Sequence, residues 1–246
     1  MEDKELVFGR NPVLEYLRNA AEGSGMELYV ARNAHGKIIG AIIEETRARN
    51  IPVEYKDKNF FSGLGPSSIH QGVALKIPSS IRGSGGTAER LMERAAGNKG
   101  VLVLLDQITD PQNVGAIIRT AEALGCSGVI FPKSHAPGIT PVVIKASAGA
   151  TAHIDIAPVG NVASFLEEAK AAGLWIIGTS EGGGTELRKL GNVRPCVVVI
   201  GSEDSGMRRL TAEKCDFLVR IPLAGKISSL NASVAAGIVL YEIMQN

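Results

Sequence analysis

Arg220-Ile-Pro-Leu-Ala-Gly-Lys-Ile-Ser-Ser-Leu-Asn-Ala-Ser-Val-Ala-Ala-Gly-Ile-Val-Leu-Tyr241 is the stretch around which the rest of the chain is read. A β-type run, Phe217 to Ile221, leads into it. Pro222, which has no N–H to donate, stops the ladder. A polar loop, Gly225 to Ser229, follows. Ser228 or Ser229 is placed to cap a final helix by accepting from its orphan N–H groups. Leu230, Val234, Ile238 and Tyr241 then recur at helical spacing, while Ala232, Ala235, Ala236 and Gly237 keep other positions small. Strand, loop and C-terminal helix explain all of this except the polar Ser-Ser-x-Asn cluster that opens an otherwise apolar helix.

The chain has 246 residues, enough for one large domain or two small ones. Lys+Arg number 26 and Asp+Glu 25, for a net charge of +1. Residues 1–98 carry 13 basic and 12 acidic side chains and residues 99–246 carry 13 of each, so neither half is a basic arm. Overall charge therefore gives no support for a nucleic-acid partner, although a local patch escapes such a count. Cys126, Cys196 and Cys215 form no paired spacing, which argues for buried structural thiols over zinc or redox chemistry. The polar start Met-Glu-Asp-Lys-Glu is unlike a signal peptide, and the purest apolar runs, Val101–Leu105 and Cys196–Ile200, are far short of a membrane span. A soluble, cytoplasmic protein is expected, with no membrane and no metal.

Residues 5–20 hold Val7, Val13, Leu14 and Leu17 near helical spacing, with Pro12 where a helix start tolerates it. Strands are expected at Met26–Ala31, Ile51–Tyr55 and Gly72–Ile77, a helix at Ile38–Asn50 and a helical turn at Phe60–Leu64. These make a small α/β domain over 1–78. The Pro/Gly/Ser-rich run Pro78–Thr87 opens a linker over 79–98, in which Ala88–Ala96 can form a short helix. From residue 99 to 246, strands at Val101–Leu105, Gly128–Phe131, His153–Ala157, Leu174–Gly178 and Val197–Gly201 alternate with helices at Asp110–Leu124, Thr140–Ala148 and Val162–Ala172. Alternation of this kind implies a parallel sheet covered on both faces.

In the first of these helices Asp110 stands at the cap position, Pro111 at the first helical position and Gly125 just past the end. Val114, Ile117, Ile118, Ala121 and Leu124 form the apolar stripe. Arg119 lies roughly 160° from that stripe, a solvent-facing position by pattern alone. Asn113 by default satisfies a nearby backbone group. Two strand ends carry glycine loops, Gly178–Gly184 and Gly201–Gly206, and ligands in open parallel sheets bind beyond the carboxyl ends of the strands. Glu203 follows the buried run directly and is either a turn residue or a site acid. No Gly-x-Gly-x-x-Gly follows a strand, Ala224-Gly-Lys-Ile lacks the residues of a phosphate loop, and His35, His70, His135 and His153 show no metal spacing.

Three blocks together resemble the SpoU/TrmH branch of the SPOUT RNA methyltransferases. They are Asp106-Gln-Ile-Thr-Asp-Pro-Gln-Asn-Val-Gly-Ala-Ile-Ile-Arg-Thr-Ala-Glu-Ala-Leu-Gly125, Gly201-Ser-Glu-Asp-Ser-Gly-Met-Arg-Arg-Leu210, and Ile221–Glu242. The front stretches Phe8-Gly-Arg-Asn-Pro-Val-Leu-Glu-Tyr-Leu17 and His70-Gln-Gly-Val-Ala74 are similar to the substrate-binding domain of the family's 23S rRNA guanosine-2′-O-methyltransferases. Asp204-Ser205 stands where the family often has Gly-Glu, leaving Gly201, Glu203 and Gly206 in place. The resemblance implies a deep trefoil knot, S-adenosylmethionine (SAM) as cofactor and a homodimer. It also implies an RNA partner, 23S rRNA above all, with tRNA or another rRNA nucleotide as the alternative. Carried over by position, Thr179, Gly201, Glu203, Ile221, Leu223 and Leu230 would hold the cofactor. Asn113, Arg119, Glu203, Ser229 and Asn231 would form the catalytic polar site.

The chemistry so implied is attack of a ribose 2′-hydroxyl on a sulfonium methyl. That hydroxyl is a weak nucleophile, and in-line positioning supplies much of the rate. Arg119 suits stabilisation of the developing alkoxide better than proton abstraction, because a guanidinium is effectively never deprotonated. Residues 1–78 are expected to fold separately and to supply RNA affinity, and the small-residue side of the last helix (Ala232, Ala235, Ala236, Val239) to form the dimer contact. The rival classes are a non-catalytic RNA-binding module and a metabolic enzyme with a flavodoxin-like sheet.

Overall fold

The computed structural model describes residues 5–20, 25–64, 70–78, 86–134, 136–182, 184–226 and 229–245. Two sheets organise it. The first holds four strands, β1 (Glu5–Phe8), β2 (Glu27–Ala31), β3 (Val53–Lys56) and β4 (Val73–Ile77), in the order β1-β4-β2-β3. β4 runs antiparallel to β1 and β2, and β2 runs parallel to β3. Helices α1 (Arg10–Arg18) and α2 (Lys37–Ala48) pack on one face over Val7, Leu28, Val30, Val73 and Leu75; α3 (Lys58–Ser62) covers Tyr29 and Ala74 on the other. The start of the chain departs from the sequence expectation, since residues 5–8 are a strand. Four residues are too few for periodicity to separate strand from helix, and Val7 pairs with Leu75 before Gly9, at φ 93°, turns the chain into α1.

The second sheet has seven strands in the order β7-β6-β5-β10-β8-β11-β9, every pairing parallel. The strands are β5 (Val101–Leu105), β6 (Gly128–Pro132), β7 (Ile156–Val159), β8 (Trp175–Thr179), β9 (Thr185–Glu186), β10 (Cys196–Ile200) and β11 (Phe217–Arg220). Its central strands are apolar on both sides, and the period of two sorts the residues. Val101, Val103 and Leu105 face α5 (Pro111–Ala123), α6 (Pro141–Ala146) and α9 (Ala232–Gln245). Leu102 and Leu104 face α4 (Ala88–Gly97) and α7 (Val162–Ala171). Each such fully buried side chain contributes about 1.5–3 kcal/mol relative to exposure. α4 falls inside the 79–98 stretch read as linker, yet Leu91 and Ala95 belong to this core. A short α8 (Arg209–Glu213) precedes β11.

Element boundaries shift by up to three residues. The helix expected over Thr140–Ala148 ends at Ala146, because Ala148 (φ 54°) and Gly149 (φ 95°) are left-handed. His153 does not open a strand; it ends a 3₁₀ turn, Ala150–Ala152, and β7 begins at Ile156.

That turn is where the two sheets' domains meet. Ile144 of α6 and Ala152 belong to the core of the first domain, alongside Tyr16 and Leu17. The Tyr16 hydroxyl and Thr151 Oγ1 are 3.0 Å apart and buried, Asn19 Nδ2 donates to the Ala152 carbonyl, and His153 Nε2 lies 2.9 Å from Glu15 Oε2. Gly149 is pressed so close that a Cβ there would stand 2.8 Å from the Glu15 Cβ. The first domain is thus seated on the second through a shared core, not isolated by its linker.

Candidate functional site

The carboxyl ends of β10, β8 and β11 open onto a cavity of about 860 Å³. Three chain segments wall it: Thr179–Glu181 after β8, Gly201–Met207 after β10, and Arg220–Leu230 after β11, in which 227 and 228 lie outside the described residues. Thr179, Gly201, Glu203, Ile221, Leu223, Ser229 and Leu230 all line it, as do Met207, Ala235 and Val239. Ser228, one of the two caps expected for the last helix, is outside the described residues. Asn231 takes the cap position: its Oδ1 accepts from Ser233 N at 3.0 Å and Val234 N at 3.3 Å, and α9 starts at Ala232.

The Gly201–Gly206 loop closes on itself. Ser202 and Gly206 exchange backbone hydrogen bonds of 3.0 Å, and Gly201 touches the far side so tightly that a Cβ would stand 2.5 Å from Gly206 C and Met207 N. Two residues at the end of β5 clamp it. Asp106, fully buried, accepts from the Arg208 backbone N–H at 2.8 Å through Oδ2. Its Oδ1 lies 3.4 Å from the Arg208 guanidinium and has no hydrogen-bond partner among the described residues. Gln107, at φ 64°, donates from Nε2 to the Gly206 carbonyl at 3.2 Å. Sequence reasoning did not single out either residue. The available signal was a polar Asp-Gln pair closing a strand that is otherwise wholly apolar.

At the cavity's edge the N-termini of α5 and α9 meet. Asp110 caps α5 as expected, accepting from Gln112 N and Asn113 N. Glu203 Oε1 accepts from Asn113 Nδ2 at 2.8 Å, from Asn231 Nδ2 at 2.6 Å and from the Ala232 backbone N–H at 2.9 Å. Asn231 Nδ2 also donates to Asn113 Oδ1 at 2.9 Å. One carboxylate oxygen therefore fixes both amides, and the α9 N-terminus favours its negative charge. This explains the polar cluster at the head of an apolar helix: the helix cap and the polar site are the same residues.

Arg119 is not part of this cluster. It is exposed on α5 and makes no hydrogen bond or ion pair among the described residues. Six residues beyond Asn113, it stands about 9 Å further along the helix axis. The residues read as a dimer face fare similarly. Ala232, Ala236 and Val239 are buried inside the chain's own core, whereas Val234, Ile238 and Tyr241 are 50%, 40% and 57% exposed. The Val234–Ile238–Tyr241 stripe was legible as a helical period, but it faces outward.

Comparison with known proteins shows the family of the chain. The SpoU rRNA Methylase family matches residues 100–241. The chain belongs to that family. A second family, described as RNA 2′-O ribose methyltransferase substrate binding, matches residues 6–81. The 23S rRNA (guanosine-2′-O-)-methyltransferase RlmB of Pseudomonas aeruginosa is 38% identical over 246 residues, covering 100% of this chain and 98% of that protein. The SpoU methyltransferase AviRb of Streptomyces viridochromogenes, solved in complex with AdoMet, superposes with a TM-score of 0.78 at 26% identity, over 98% of this chain and 89% of AviRb. An AdoMet-bound rRNA methyltransferase from Sinorhizobium meliloti gives the same TM-score and identity, over 98% and 87% of the two chains. This chain is accordingly a SpoU-type RNA 2′-O-methyltransferase. No group of three or more His, Cys, Asp or Glu that could hold a metal occurs among the described residues, and no helix among them is long and apolar enough to cross a membrane.

Proposed function

We infer that this chain transfers the methyl group of SAM to the 2′-hydroxyl of a guanosine in 23S rRNA. The observation that carries the inference is the glycine-walled cavity with the Asn113–Glu203–Asn231 cluster at its edge. The cavity falls in the size range of cofactor sites, and a side chain at Gly201 would collide with backbone atoms. The guanosine is supported by the full-length likeness to the Pseudomonas protein.

SAM supplies, when bound, a methyl group on a positively charged sulfur. Everything else falls to the chain's own residues. Backbone groups of Gly201, Ile221 and Leu230, with Thr179 and Leu223, hold the cofactor. Glu203 fixes Asn113 and Asn231, which with Ser229 position the ribose. Arg119 stabilises the alkoxide that develops as the 2′-hydroxyl loses its proton to solvent. Since Arg119 does not line the cavity of its own chain, it is supplied by a second copy. The exposed Val234–Ile238–Tyr241 stripe is the homodimer face, and α9 lies beside the α5 helix that carries Arg119. The insertion of β10 between β5 and β8, with β11 beyond, supports a C-terminal trefoil knot as the cavity's frame. Residues 1–78 form the RNA-binding domain, and the methyltransferase domain takes in 99–246 together with α4 of the 79–98 stretch, in a cytoplasmic enzyme.

Three measurements test this. Calorimetry detects SAM binding, light scattering reports a dimer, and 2′-O-methylation is mapped on 23S rRNA. Arg119→Ala keeps fold and SAM affinity and loses roughly 10²-fold or more in methyl transfer. Mixing Arg119→Ala with Asn231→Ala subunits restores activity, because one composite site per mixed dimer is intact. No SAM binding overturns the function, and no restoration in mixed dimers overturns the shared site.

A further inference from the structure

The whole-chain charge count is nearly balanced, but the first domain does not distribute its charges evenly. Strand register fixes which residues share an end of its sheet. Phe8 pairs with Ala74, Val30 with Val73, and Ala31 with Lys56. The carboxyl ends of β1, β2 and β3 and the amino end of β4 therefore converge on one rim. The segments leaving or entering it carry Arg10; Arg32, His35 and Lys37; Lys56, Asp57 and Lys58; and His70 and Gln71.

Five of these are permanent cations and one is an acid. Asp57 is engaged as the cap of α3, accepting from Phe60 N, and Lys56 pairs with Glu54. Arg10, Arg32, Lys37 and Lys58 make no ion pair among the described residues. The opposite end of the domain is different. There Arg18 pairs with Glu15 and Glu45, Arg49 with Glu45, and Lys76 with Glu27. Arg18, Arg49 and Lys76 are paired at that end and Arg47 is not, whereas at the rim four of the five cations make no ion pair among the described residues.

One rim residue is held in place. The Arg10 backbone N–H donates to Gln71 Oε1 at 3.0 Å, and its Nε donates to the Gln71 carbonyl at 3.2 Å. Gln71 (φ 52°) and Gly72 (φ 80°) are successive left-handed residues, an arrangement that costs energy at the glutamine and presents its carbonyl to the arginine. Using Nε alone leaves both Nη groups of the fork for a partner, a geometry that suits a pair of phosphate oxygens. Beside it, the His70 and Phe61 ring centroids lie 4.8 Å apart with the planes tilted by 33°, and His70 Nδ1 accepts from Gly72 N at 3.0 Å, fixing the ring.

We propose that this rim of the first domain, with Arg10 as its fixed point and Arg32, Lys37 and Lys58 around it, is the surface that grips the sugar-phosphate backbone of the substrate RNA. The proposal rests on the RNA methyltransferase function above and says where, away from the reacting ribose, the RNA is held. With strands about 4.8 Å apart, a rim across four of them is about 15 Å long and meets several successive phosphates.

Filter binding of deproteinised 23S rRNA between low and moderate salt tests it. The triple variant Arg32→Glu, Lys37→Glu, Lys58→Glu and, separately, Arg10→Ala are compared with wild type. Arg47→Glu serves as control, since Arg47 is an exposed cation near the far end of α2 that makes no ion pair among the described residues. All substituted cations except Arg10 are exposed, so the fold is retained, and SAM calorimetry on each variant verifies it. Each phosphate that is no longer neutralised by a cation lowers the slope of log K against log salt by about 0.7–0.9. The triple variant is expected to lose about two units of slope and at least tenfold in affinity, Arg10→Ala about one unit, and Arg47→Glu nothing. An unchanged slope in the triple variant, with wild type binding RNA normally, overturns the rim as the gripping surface and leaves the methyl-transfer function standing. Failure of wild type to bind and methylate the RNA overturns the function itself.

Discussion

Gly115→Ala is a substitution whose sign separates two ways of reasoning. In the middle of a helix such as α5, replacing glycine by alanine ordinarily stabilises by about 0.8–1.0 kcal/mol. The surroundings of Gly115 reverse this. A Cβ would stand 2.4 Å from the Ala146 Cβ, 2.8 Å from the Val143 carbonyl oxygen and 2.9 Å from Ser147 N. Comfortable carbon contacts are about 3.5–4.0 Å, so α6 would have to retreat by about 1 Å. Two of the three atoms are backbone and cannot rotate aside. Overpacking of this kind costs about 1–3 kcal/mol, and with backbone in the way the upper end applies. Subtracting the propensity gain leaves a net loss of about 2 kcal/mol. For a chain of this size that lowers Tm by about 4–8 °C. The displacement also reaches the first domain, because α6 carries Ile144 into that domain's core. Gly40 of α2 supplies the control: nothing lies within 4 Å of its virtual Cβ, so Gly40→Ala should gain about 0.8–1.0 kcal/mol. Scanning calorimetry of both variants decides it. A Gly115→Ala protein as stable as wild type, or more so, refutes the close-packing argument.

Two further outcomes follow from buried groups. Asp106→Asn keeps an acceptor for the Arg208 N–H but removes the charge facing its guanidinium, and should weaken SAM binding about tenfold with the fold intact; unchanged affinity by calorimetry would remove the loop-clamp role. Burial pushes the thiols of Cys126, Cys196 and Cys215 up to about 12 from an ordinary 9.0. A group with a raised folded-state value stabilises below its unfolded value, and that contribution is lost as pH rises from about 9 toward 12, where only the unfolded chain ionises. Denaturant midpoints should therefore fall across that window, and a thiol reagent at pH 8 should label the buried Cys126 and Cys196 only on unfolding, while Cys215 is half-buried; prompt labelling of Cys126 and Cys196 in the native protein would contradict their burial.

Much of the second domain was legible because its central strands are purely apolar and its helices are punctuated by caps. Asp110-Pro111 at one end of α5 and Gly125 at the other mark its limits almost to the residue. β9 was not legible, since two residues carry no period. Nor was the outward turn of Val234, Ile238 and Tyr241. α9 is apolar nearly all round, and periodicity cannot choose the buried face of such a helix. The cavity-lining residues follow the strand ends, so parallel alternation and glycine loops located them. What connects them could not be read. Glu203 lies 90 residues from Asn113 and 28 from Asn231 along the chain, and only the order of β5, β10 and β11 brings the three together.

The seam between the domains has a mechanical meaning. Ile144 and Ala152 are side chains of one domain that complete the core of the other, and Gly149 leaves no room between them. Two bodies joined this way do not swing freely; the distance from the first sheet's rim to the Glu203 cluster is a property of the fold. If the rim grips RNA, the protein works as a calliper. It would choose its nucleotide by how far that nucleotide lies from a held segment of folded RNA, and a change of one base at the reacting position would matter less than a change in the length of the helix between them.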